Sequence, residues 1–116
     1  MEHTVDWIAY AETLEGNQGL VEWMEDHGQS TVPGCVVTGS TSKRGKPTVG
    51  YPFDGTLLSE LLSLAGSDPR LKIRILRRRS PQEDWELCGW LFKPVKVAVA
   101  TQVAKVLADM RSKTTR

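Results

Sequence analysis

The chain has 116 residues, of which 40% are hydrophobic and 25% charged, the composition of an ordinary globular protein and a length that suits one domain with one core. Fifteen Lys and Arg against 14 Asp and Glu give a formal charge of +1, but the signs are segregated: Glu2, Asp6, Glu12, Glu15, Glu22, Glu25 and Asp26 lie in the first 30 residues, and every Lys and Arg lies after them. The stretch Val95 to Val106 is interrupted by Lys96, Thr101, Gln102 and Lys105, too polar to cross a bilayer, and Met1-Glu2-His3 opens without an apolar leader, so a cytoplasmic protein with no membrane partner is expected.

Thr4 can cap a first helix carrying Val5, Ile8 and Leu14, with Gly16 at its left-handed end. Asn17 can then cap a second helix with Leu20, Trp23, Met24 and His27 at helical spacing, closed by Gly28. The short connection predicts an antiparallel αα-hairpin over residues 1–28 with Glu12, Glu15, Glu22, Glu25 and Asp26 facing outward. Val36-Val37-Thr38 and Thr48-Val49-Gly50-Tyr51 read as short strands around a polar, basic loop that holds Lys43, Arg44 and Lys46. Asp54 can cap a leucine-rich helix over 54–66.

Leu71-Lys72-Ile73-Arg74-Ile75 alternates as a half-buried strand with Lys72, Arg74 and Arg78 on the side opposite Ile73 and Ile75. After the turn through Arg77-Arg78-Arg79-Ser80-Pro81, Trp85 to Phe92 returns as a second strand. Pro94 suits a helix start, and Val95, Ala98, Val99, Gln102, Val103, Val106, Leu107 and Met110 keep helical spacing over 94–112. Val95, Val97 and Val99 also alternate as a strand would, and the longer helical match is preferred. The expectation is therefore one α+β domain over 1–116, an antiparallel sheet of about four strands spanning 29–92, helices on one side, and the order ααββαββα.

Chemistry-bearing motifs are scarce. Cys35 and Cys88 stand far apart without a CxxC pair and read as two thiols. His3, His27, Cys35 and Cys88 lack zinc-ligand spacing, and Pro33-Gly34-Cys35 reads as a strand start rather than part of a nucleophilic pair with His27. His27 itself suits the negative end of a helix. The glycines form neither a P-loop nor GxGxxG, so no enzyme activity, cofactor or metal is expected. Arg77-Arg78-Arg79-Ser80 matches a basic-directed phosphorylation site, a pattern that chance supplies readily.

Two binding readings follow. In the first, Lys43, Arg44, Lys46, Lys72, Arg74, Arg77, Arg78 and Arg79 meet phosphates while Trp90 or Trp85 stacks on bases. In the second, the chain is a protein-interaction module, an inhibitor or regulator of a larger nucleic-acid-processing enzyme, with the size and motif poverty of small phage or mobile-element accessory proteins. The basic face would then meet an acidic protein surface. The acidic residues Glu12, Glu15, Glu22, Glu25 and Asp26 would meet a basic partner, the protein's own basic face, or the basic face of a second copy. They cannot form a DNA-reading helix, because phosphate would repel them.

Overall fold

Asp6–Ala11 is a strand, β1, and not the first helix expected from the sequence. Trp7, Ala9 and Ala11 point to one face of the sheet and Ile8 and Tyr10 to the other, and both faces are covered. A strand buried on both faces reads as an unbroken apolar run, which periodicity alone cannot separate from a buried helix. The computed structural model describes residues 5–39, 47–88 and 92–114. The single helix that follows, α1 (Leu14–Asp26), starts at Thr13, whose hydroxyl accepts from the Gly16 amide and donates to the Leu71 carbonyl, both at 2.9 Å. Gly16 therefore does not end a helix. It lies in the first turn of one, where any Cβ would overlap the Leu71 carbonyl oxygen. Asn17 is mid-helix, and its Oδ1 accepts from the Tyr51 hydroxyl at 3.0 Å. The acidic αα-hairpin is thus replaced by a strand and one helix, closed where expected by Gly28 at φ +69°.

The remaining elements are β2 (Cys35–Thr38), β3 (Thr48–Pro52), α2 (Leu58–Ser67), β4 (Ile73–Arg78), β5 (Glu86–Leu87), β6 (Lys93–Pro94), β7 (Ala98–Ala100) and α3 (Ala104–Thr114). Asp54 does cap the leucine-rich region: its Oδ1 accepts from the Thr56 amide at 3.0 Å and opens a 3-10 turn, Gly55–Leu57, that leads into α2. The α+β class holds, but the four-stranded sheet and the ααββαββα order do not. The described residues form one seven-stranded sheet in the order β6-β5-β4-β1-β3-β2-β7, with every adjacent pair antiparallel. The helix expected over 94–112 is corrected as well. Pro94 ends β6, residues 98–100 form β7, and the helix begins only at Ala104.

β6 and β7 sit at opposite ends of the strand order, yet only Val95, Lys96 and Val97 join them. A chain of that length spans at most about 14 Å. The sheet must therefore curl until its two edges approach, which makes a half-barrel. Val95, Val97 and Val99 turn into its interior against Ile8, Tyr10, Cys35, Val37, Leu76 and Trp85. The outer face carries the larger core, where Leu20, Trp23 and Met24 of α1, Leu61 of α2 and Val106 of α3 pack on Ala9, Val36, Val49, Tyr51, Ile73 and Ile75.

Candidate functional site at the seam of the half-barrel

The basic strand of the sequence is β4, and its place in the sheet decides what its arginines can do. It lies between β1 and β5, so Arg77 and Arg78 find carboxylates on neighbouring strands and Arg74 finds one just past the end of β1. Arg78 stands directly opposite Asp6 and donates to Oδ2 from Nε at 3.2 Å and Nη2 at 2.8 Å. Arg77 donates to Glu86 Oε1 from Nε at 3.1 Å and Nη2 at 2.7 Å. Its guanidinium carbon also lies 3.4 Å from the Phe92 ring centre. Arg74 Nη2 is 3.6 Å from Glu12 Oε1, while Arg74 Nε is buried with no hydrogen-bond partner among the described residues.

The expected parity is right: Arg74 and Arg78 alternate with Ile73 and Ile75, and Arg77 falls on the other face. Their side is, however, the inner face of a curled sheet rather than a flat solvent platform. Lys72 is exposed at the end of a 3-10 turn in a left-handed conformation, φ 54°, and Arg79 is exposed beyond the strand. Lys43, Arg44, Lys46 and Trp90 lie outside the described residues. Trp85 is buried in the inner core, with the Arg78 guanidinium 4.6 Å from its ring centre. That cation already covers part of the surface a base would need.

The acidic set divides in two. Asp6 and Glu12 are ion-pair partners of Arg78 and Arg74, and Glu12, turned toward Arg74, is largely covered rather than facing outward. Glu15, Glu22, Glu25 and Asp26 occupy the exposed side of α1, whose other side buries Gly16, Leu20, Trp23 and Met24. Glu22, Glu25 and Asp26 have no ion-pair partner among the described residues.

His27 is the C-cap of α1, with Nδ1 2.9 Å from the Trp23 carbonyl oxygen and its ring stacked on Trp23 at 4.1 Å. Burial pushes the Cys35 thiol up to about 11, against a smaller downward pull from the Gly50 backbone. A thiol held protonated is a poor nucleophile. Cys35 belongs to the inner face and Cys88 packs on the outer core, so the two thiols are separated by the sheet. No group of three or more His, Cys, Asp or Glu side chains among the described residues could hold a metal ion.

Among the described residues, an open cleft lies where the half-barrel fails to close. A cleft of about 760 Å³ runs along Val95–Val99, with Arg78 and Lys96 as its cations and Glu83 and Asp84 as its carboxylates. Among the described residues, β7 is hydrogen-bonded to β2 on one side and its other edge pairs with no strand. Alternate backbone N–H and C=O groups of such an edge have no strand partner. The sequence does not announce this site, because the helical spacing over 94–112 masks the strand at 98–100. The signal that could have found it was the Val95, Val97, Val99 alternation. Comparison of the chain with protein-family models, curated proteins and solved structures finds no match.

Proposed function

We propose that the chain is a non-enzymatic protein-interaction module that docks an extended polypeptide segment in the seam cleft, with its segregated charges orienting the encounter. The observation that carries this reading is the charge pairing on the sheet. Arg77 and Arg78 each face a carboxylate of an adjacent strand and Arg74 faces Glu12 just past the end of β1, so the positive charge that β4 would offer to nucleic acid is largely neutralised. A phosphate would have to displace Asp6 from Arg78 or Glu86 from Arg77, and the displaced carboxylate would then repel it.

The cleft has what a peptide needs: an open strand edge for main-chain hydrogen bonds, an apolar valine row, and charges of both signs at its rim. On the outer side, Glu22, Glu25 and Asp26 present a negative field that speeds association with basic surfaces. A regulator or inhibitor of a nucleic-acid-processing enzyme would meet such a surface on its target.

Two measurements on the full chain test the reading. Display of random decapeptides against the immobilised protein should enrich alternating β-branched sequences; no enrichment overturns the proposal. Titration of labelled single-stranded and duplex oligonucleotides should give affinities no tighter than the non-specific range of about 10⁻⁴–10⁻⁶ M. Tight binding with a salt slope of about −0.7 (single strand) or −0.9 (duplex) per phosphate would replace this reading with nucleic-acid binding.

A further inference from the structure

We propose that the segment held in the seam cleft is basic: an extended chain with a Lys or Arg seated at Glu83 and Asp84 and apolar side chains at alternate positions beyond it. The inference rests on the reading of the seam as a peptide-docking cleft and names the chemistry of the occupant.

The cleft starts at a fork in the sheet. β5 and β6 pair Leu87 with Lys93 and Glu86 with Pro94, and one step further on the Val95 amide donates to the Trp85 carbonyl at 3.1 Å. The same register would set Asp84 opposite Lys96. The ladder ends before that step. Among the described residues no backbone hydrogen bond or ion pair joins Asp84 to Lys96, and both line the cleft instead. Beyond the fork, Glu83 and Asp84 form one wall and the run from Lys96 to Val99 forms the other.

The charges at this fork are unequal once the paired ones are set aside. Arg78 is held by Asp6 at 2.8 Å and lies over the Trp85 ring, so it offers no free charge. Glu83, Asp84 and Lys96 are exposed and have no ion-pair partner among the described residues. Two carboxylates against one ammonium leave the fork negative, and a cation lodged there meets both carboxylates. An acidic segment would meet the same two as like charges, which is unfavourable.

Further along, Val97 and Val99 belong to the half-buried inner row, and side chains on one face of a strand recur every second residue. A segment laid along the β7 edge therefore extends that row with alternate apolar side chains while its cation stays at the fork. Glu22, Glu25 and Asp26 of α1, also without an ion-pair partner among the described residues, add a field of the same sign that draws a basic segment in from solution.

Fluorescence anisotropy of three labelled peptides with the full chain tests this. Each alternates Val and Ser and has blocked termini, with Lys, Glu or Gln at both ends. At low salt the Lys-ended peptide should bind about tenfold more tightly than the Glu-ended one, the scale of a few exposed charge contacts reversed in sign. Added salt should shrink the difference. Combining Glu83→Lys with Asp84→Lys should invert the order. Both positions are exposed, so neither the circular dichroism nor the affinity for the Gln-ended peptide should change in that variant.

Equal affinity for the Lys-ended and Glu-ended peptides overturns the proposal. So does a preference for the Glu-ended one, or a double variant that keeps the wild-type order. If the Gln-ended peptide still binds in these cases, the cleft docks an extended segment and only the basic partner is wrong. If none of the three peptides binds, the underlying reading falls with it.

Discussion

The two faces of the sheet are built to different standards. The outer face lies under three helices and holds Leu20, Met24, Val49 and Leu61 at zero exposure, with a wide margin of half-buried leucines from α2 around them. The inner face also holds Val37 and Leu76 at zero exposure, but it is lidded by one extended segment, Lys93 to Ala100, whose three valines are only half-buried. Stability therefore resides mainly outside the curl, in a core too well covered to meet a partner. The thinly sealed inner face leaves the seam where one strand edge stays open, and segments of low local burial are the ones that adapt to binding.

Substitutions on the two sides should separate these roles. The largest effect belongs to the outer core. Leu20→Ala removes a side chain with no exposure beneath α1, and a buried Leu→Ala change costs about 2–5 kcal/mol. Urea unfolding should show that loss with the slope unchanged. A milder change belongs to the inner face. A Cβ at Gly50 would come within 2.7 Å of Ile8 Cγ2 and 2.8 Å of Cys35 Sγ. Gly50→Ala should therefore cost about 1–3 kcal/mol, as overpacked cores do. If urea unfolding shows Gly50→Ala matching or exceeding Leu20→Ala, the ranking of the two faces is wrong.

The contrast also explains which parts of the fold could be read from sequence. Elements with a local signal were legible: the Asp54 cap and leucine-rich α2, the alternation through β4, the paired β2 and β3, and Gly28 at the end of α1. What escaped was decided by partners distant in sequence. Residues 7–11 look helical or extended according to whether one face or two are buried, and only the positions of β3 and β4 decide that. Residues 95–99 satisfy a helical and a strand period together, and pairing of β7 with β2, some sixty residues earlier, resolves the choice. The site suffered in the same way. The arginines of β4 are legible from the alternation, yet the carboxylates paired with two of them, Asp6 on β1 and Glu12 just past its end, lie in a segment whose local pattern predicts a separate acidic hairpin.

The finest test uses the two thiols as reporters of their faces. Burial raises both, but Cys35 on the inner side is pushed from 9.0 to about 11, whereas the rise at Cys88 is opposed by the positive charge of Arg77. A thiol whose folded value lies above its unfolded one contributes stability that is fully present below the unfolded value. That stability is lost as pH rises through the folded value, because the unfolded chain ionises first. The contribution of Cys35 should therefore be fully present and independent of pH near pH 7, and should be lost between about pH 9 and pH 11. Tyr51, raised by its burial, adds a decline of the same sign above its usual 10.0. Urea midpoints measured from pH 8 to 11 should then fall more steeply for the wild type than for Cys35→Ala, with Cys88→Ala intermediate. Parallel curves for wild type and Cys35→Ala would mean that the inner face is wet. The valine segment would then not seal the curl, and the seam would have to be redrawn as an open groove rather than a lidded core with one free edge.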